Sequence, residues 1–178
     1  MKIKKISIIL AAIISLATLM PTNSFAAEIS DELYQKYDFN SDGLINGDDI
    51  FLIIQRYSEI ATGNTIISEQ SVRENIDKNA DIDSDNVINA NDAAKLSDLI
   101  KEKNSMGDVN CDKIIDARDA SSVLTYYTRL STEDYKEKEL SIGIDYGVAA
   151  LGDYDKNGII DARDASAILV KYASNSVS

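Results

Sequence analysis

Residues 153–164 read DYDKNGIIDARD, and residues 108–119 read DVNCDKIIDARD. The same frame recurs as DFNSDGLINGDD at residues 38–49 and DIDSDNVINAND at residues 81–92. Each stretch places an oxygen-bearing side chain at positions 1, 3, 5, 9 and 12, an apolar residue at 7 and isoleucine at 8. A hard cation such as calcium takes roughly six to eight oxygens, and a tight loop supplies them from alternating side chains. Positions 1, 3 and 5 are Asp38, Asn40, Asp42; Asp81, Asp83, Asp85; Asp108, Asn110, Asp112; and Asp153, Asp155, Asn157. Position 7 offers its backbone carbonyl, so its side chain is unconstrained: Leu44, Val87, Ile114, Ile159. Position 9, which often acts through water, is Asn46, Asn89, Asp116 and Asp161. Position 12 closes the shell with a carboxylate: Asp49, Asp92, Asp119 and Asp164. One such stretch is readily an acidic turn. Four in register predict up to four calcium sites.

Two further positions shape the loops. Position 6 turns sharply and favours positive φ, which Gly43 and Gly158 adopt without steric cost. Asn86 is the next-best residue, whereas Lys113 pays about 1–2 kcal/mol there. The third loop is therefore expected to be the weakest or most distorted. The position-8 residues Ile45, Ile88, Ile115 and Ile160 are expected to pair loops through a short β-bridge.

Apolar residues after each loop follow helical spacing: Ile50, Ile53, Ile54, Tyr57; Ala93, Leu96, Ile100; Ala120, Val123, Leu124, Tyr127; Ala165, Ile168, Leu169, Tyr172. These stripes are read as core. The loop starts are 43, 27 and 45 residues apart. The long gaps accommodate connecting helices, expected over 68–78 with Ser68 as cap and over 131–140 capped by Ser131 or Thr132. The fold class is thus all-α, in two tandem units over residues 28–104 and 106–175, each with two loop–helix motifs and a connecting helix.

Ahead of these units, Lys2, Lys4 and Lys5 precede an uncharged apolar run, Pro21 and the small residues Ser24 and Ala26. Residues 1–26 read as a secretory signal peptide. The run is too short to span a bilayer, which needs about 20 apolar residues. The chain is expected to be extracellular, with no membrane insertion. Removing the three leader lysines takes the net charge from −12 to −15. That argues against nucleic acid or anionic membrane as partner. Cys111 is the single cysteine and histidine is absent, which excludes an intramolecular disulfide, a Cys/His zinc site and a His-assisted nucleophile.

The frames Gly107-Asp108-Val109-Asn110, Ala80-Asp81-Ile82-Asp83 and Gly152-Asp153-Tyr154-Asp155, with aspartate at position 12, resemble dockerin modules. Those are duplicated "F-hand" modules with two calcium loops and three helices. Gly107 and Gly152, just before their loops, argue against the regular entering helix of an EF-hand. The resemblance covers nearly all of the chain after the leader, as two tandem dockerins. It implies binding to cohesin modules on scaffold or cell-surface proteins, as in cellulosome- or amylosome-type polysaccharide-degrading assemblies.

Family recognition residues lie at loop positions 10 and 11 and along the following helix. Here these are Ala117-Arg118 and Ala162-Arg163, within the repeated stretch IIDARDAS at 114–121 and 159–166. In the first unit, Asp48, Phe51 and Leu52 are the candidates for partner contact. A non-catalytic adaptor is the leading expectation and a free-standing four-site calcium buffer or sensor is the alternative. An enzyme acting on a small-molecule substrate is disfavoured, because the motif aspartates are committed to metal.

Overall fold

The computed structural model describes residues 34–131 and 143–176. The leader at 1–26 lies outside them. Among the described residues there are six helices and no strand: α1 (Gly47–Thr62), α2 (Gln70–Asn79), α3 (Ala90–Lys103), α4 (Ala117–Leu130), α5 (Gly143–Leu151) and α6 (Ala162–Ser176). All four post-loop helices begin at loop position 10. The cause is local: the position-9 side chain accepts the N–H of position 11 at 2.7 Å in each loop, satisfying a donor that the first helical turn leaves unpaired. In α4 this becomes a full capping box between Asp116 and Asp119.

The chain divides into two compact units, one running to Ile45 and then over Asp49–Leu96, the other taking Asn46–Asp48 and everything from Ser97. The first unit has a core of Phe39, Ile50, Ile53, Ile54, Ile76, Ala93 and Leu96. Two polar clamps hold α2 in place. The Asn75 amide donates to the carbonyls of Asp38 and Phe39 at 3.2 and 3.3 Å. Arg56 of α1 donates to both carboxylate oxygens of Asp77 at 2.6 and 2.8 Å. The expected Ser68 cap is not used: the residue before α2 is Glu69, which makes no side-chain cap bond. Tertiary bonds fix the entry instead. The buried Glu59 carboxylate accepts the N–H groups of Ile66 and Ile67, and Arg73 donates to the Ile67 carbonyl.

In the second unit α4 packs along α6 and against α5. Its core is Val109, Ala120, Val123, Tyr126, Val148, Leu151, Ala165 and Ile168. Asp145, 2% exposed, is paired with Arg129 at 2.8 Å.

The structure corrects four expectations. Gly152 does not exclude an entering helix; α5 runs directly up to it. The Gly152 N–H closes the last turn on the Val148 carbonyl at 2.7 Å, so the glycine ends a helix rather than preventing one. No strand or bridge joins the position-8 isoleucines among the described residues. Each loop folds back on its own position-12 carboxylate, which holds its backbone without a partner loop. The stripes after the third and fourth loops are only half core: Leu124, Tyr127, Leu169 and Tyr172 are exposed, and Tyr126 is buried instead. Residues adjacent on a helix lie about 100° apart, so the flank of the stripe turns outward. Finally, Ser131 closes α4, its hydroxyl donating to the Tyr127 carbonyl. The helix expected over 131–140 otherwise falls outside the described residues.

Candidate metal centres and docking face

Each loop is wound around its own oxygens by one recurring set of bonds. The two carboxylate oxygens of position 1 face the turn. Oδ2 accepts the position-6 N–H in all four loops at 2.9–3.0 Å, from Gly43, Asn86, Lys113 and Gly158. The position-3 Oδ1 accepts the position-5 N–H at 3.0–3.3 Å. The position-5 Oδ1 accepts the position-7 N–H at 2.8–2.9 Å. Asp49, Asp92, Asp119 and Asp164 at position 12 are fully buried. In the first three loops one of their oxygens accepts the position-2 N–H at 2.8–2.9 Å, and in the fourth the acceptor bonds Asp155 at 3.0 Å.

Backbone conformation repeats with equal fidelity. Positive φ occurs at position 6 and also at position 4, where Ser41, Ser84, Cys111 and Lys156 lie between +59° and +61°. Sequence reasoning missed position 4, because Ser, Ser, Cys and Lys share no conformational signature. Lys113 takes φ +71°, and its loop keeps the bonds to the position-1 Oδ2, position-3 and position-5 oxygens, but not the position-5 N–H bond to position-1 Oδ1 that Asp42, Asp85 and Asn157 make in the other three. The third loop thus differs from the other three by this one missing bond.

The donor set suits a hard divalent cation. Carboxylate oxygens of Asp81, Asp83 and Asp85 lie within 4.8 Å of one another, as do those of Asp153, Asp155 and Asp164. In the first and third loops position 3 is asparagine, whose amide N–H₂ donates to the position-5 carboxylate at 2.8 and 3.1 Å. Asp108 Oδ1 is buried without a hydrogen-bond partner among the described residues. A buried carboxylate oxygen left in this state calls for a positive ligand. Burial pushes the carboxyls of Asp92, Asp108 and Asp119 above the ordinary aspartate range, the cost that a bound cation would offset.

The candidate partner residues divide by unit. Ala117, Arg118, Ala162 and Arg163 are exposed. Arg118 pairs with Asp116 at 2.9 Å and with Asp112 at 2.8 Å, whereas Arg163 pairs with Asp161 at 2.8 Å. The arginines hold the Asp116 and Asp161 carboxyls below the usual range. Exposure matches closely between the two halves: 57% and 59% for Ile114 and Ile159, 46% for both Leu124 and Leu169, 38% and 42% for Tyr127 and Tyr172. In the first two motifs the positions matching Leu124 and Leu169 are Ile54, buried, and Ser97, half-buried; those matching Tyr127 and Tyr172 are Tyr57, half-buried, and Ile100, buried; and at position 7 Leu44 and Val87 are exposed. There Asp48 is exposed, while Phe51 and Leu52 are half-buried.

A family model described as the dockerin type I domain matches residues 36–101. Comparison with curated proteins and with solved structures finds no match.

Proposed function

We propose that this chain is a secreted, non-catalytic adaptor made of two dockerin modules that bind cohesins in a calcium-dependent way. The match over residues 36–101 supports a dockerin protein, and with it calcium and a cohesin partner in general terms. The second module is inferred from the repeated frame at 108–119 and 153–164, and secretion from the leader-like sequence of residues 1–26. In that reading the position 1, 3, 5, 7, 9 and 12 residues of each loop ligate one calcium ion. The ion supplies positive charge that holds each loop's carboxylates together; the protein's own side chains present the docking face. Cohesin-bearing scaffold or cell-surface proteins are then the partners, and two modules on one chain link two of them or add avidity on one.

The observation that carries the docking face is the matched exposure of Ile114/Ile159, Leu124/Leu169 and Tyr127/Tyr172. Large apolar side chains left in solvent at equivalent places on two loops and the packed helices that follow them are poorly explained by folding. They form two near-equivalent faces, each headed by an arginine. One cohesin is expected to dock on either. Calorimetry against a panel of cohesin modules tests this. In calcium, Arg118→Ala or Arg163→Ala should weaken binding by no more than about twofold, the loss of one of two equal modes. The double variant should lose binding, and chelator should abolish it for every form. A single variant that abolishes binding overturns the two-face reading.

A further inference from the structure

We infer that Lys113 makes the order of the 104–107 segment depend on metal loading of the third loop, an inference that rests on the calcium reading above. Position 6 is glycine in the first and fourth loops and asparagine in the second, residues that tolerate positive φ. Lys113 holds φ +71° with a long cationic side chain, and that side chain is used. Its ammonium donates to Asn104 Oδ1 and to the Lys103 carbonyl at 3.5 Å. Those acceptors sit at the C-terminal end of α3, where carbonyls lack helical partners and a cation is favoured. Asn104 is in turn fixed to the helix: its backbone N–H and its amide both donate to the Ile100 carbonyl at 3.0 Å.

The far end of the segment is held as firmly. Gly107 donates to the Leu151 carbonyl at 2.8 Å, and Asp108 donates to the Ser105 carbonyl at 3.0 Å. Gly107 has φ +96°, and a Cβ there would lie 2.7 Å from the Tyr154 ring of the fourth loop. So the segment joining the second loop–helix motif to the third is anchored on two metal loops. The Lys113 backbone N–H bonds Asp108 Oδ2, the position-1 carboxylate. Whatever holds Asp108 therefore holds the stem from which the ammonium reaches Asn104. Without a cation, repulsion among Asp108, Asp112 and Asp119 loosens that stem and releases the segment. Lysine at position 6 sacrifices some metal affinity for this coupling.

Hydrogen exchange of the Gly107 and Asp108 amides in the full chain tests it, with calcium affinity and helicity measured in parallel. In calcium the wild type should protect both amides, and chelator should speed exchange at least about tenfold, the equivalent of one charge-assisted bond. Asn104→Ala should bind calcium as the wild type does, yet exchange about tenfold faster in calcium. Lys113→Gly should bind calcium at the third loop about 5- to 30-fold more tightly through relief of the left-handed strain, and still exchange faster. Wild-type protection in both variants, with calcium bound, overturns the coupling but leaves the calcium reading intact. A wild type in which neither exchange nor helicity responds to calcium overturns both.

Discussion

Replacing Asp119 by alanine separates two duties of the carboxylate that closes each loop. Asp119 is fully buried. One oxygen accepts the Val109 N–H at 2.9 Å and, more weakly, the Asn110 N–H at 3.4 Å; the other accepts the Asp116 N–H at 2.9 Å. Alanine strands two well-bonded donors, and a buried unsatisfied donor costs about 1–3 kcal/mol, so the metal-free loss is about 2–6 kcal/mol. The raised pKa of Asp119 shows that its charge is itself penalised by burial, which places the expected loss in the lower half of that range. Asp112→Ala in the same loop is the control. Its carboxylate is half-buried rather than fully buried, pairs with the exposed Arg118, and accepts the N–H of the exposed Ile114 and that of the Asn110 amide. Water replaces those partners, so its metal-free loss should stay near or below about 1 kcal/mol. The assay is urea unfolding followed by helicity over a series of free calcium concentrations, extrapolated to zero calcium. Both variants should lose calcium-dependent stabilisation, and Asp119→Ala should also be less stable at the zero-calcium limit. Equal stabilities of the two variants at that limit would refute the scaffold role.

Two predictions concern residues that are not themselves candidate metal ligands. Burial raises the Glu59 carboxyl pKa, but Arg56 and the N–H groups of Ile66 and Ile67 outweigh it and bring it below the ordinary glutamate value. The unfolded chain then binds the proton more readily, so the stabilisation is complete above the ordinary glutamate pKa and is lost as pH falls through the folded one. Glu59→Gln should lower stability at neutral pH by about 2–4 kcal/mol, since it leaves Arg56 short of a buried partner. In chelator its thermal midpoint should fall less steeply with acid than the wild type's; parallel pH profiles would contradict this. Gly107→Ala meets both a left-handed φ and the Tyr154 ring, and should cost at least about 1–2 kcal/mol from conformation before any clash. Gly43→Ala, with the same sign of φ but open space around it, is the comparison, and equal midpoints for the two would show that the ring contact contributes nothing.

The four loops were legible because each repeats the same oxygen-bearing residue types at fixed intervals. Alternating Asp and Asn with a closing aspartate names positions 1, 3, 5, 9 and 12 without reference to any other part of the chain. The helix starts were equally local, since the position-9 side chain caps the helix that follows. α5 was not legible: Gly152 has the same letter whether it blocks a helix or ends one. The Glu59 clamp was hidden too, because its partners Arg56, Ile66 and Ile67 are joined only when α1 and the chain after it fold together.

The sequence by itself determined where the oxygen-rich loops lie and that helices follow, because the loop frame and its capping act over a dozen residues. Only the tertiary structure decided which apolar residues are core. Leu124 and Val123 are neighbours of similar hydrophobicity, yet packing of α4 against α6 buries Val123 completely and leaves Leu124 46% exposed. Periodicity gives the width of an apolar stripe, but the line along which a second helix lies on it is set by that helix. The same holds for Lys113. Its letter marks a departure from glycine, and only the proximity of the α3 terminus gives its ammonium something to hold.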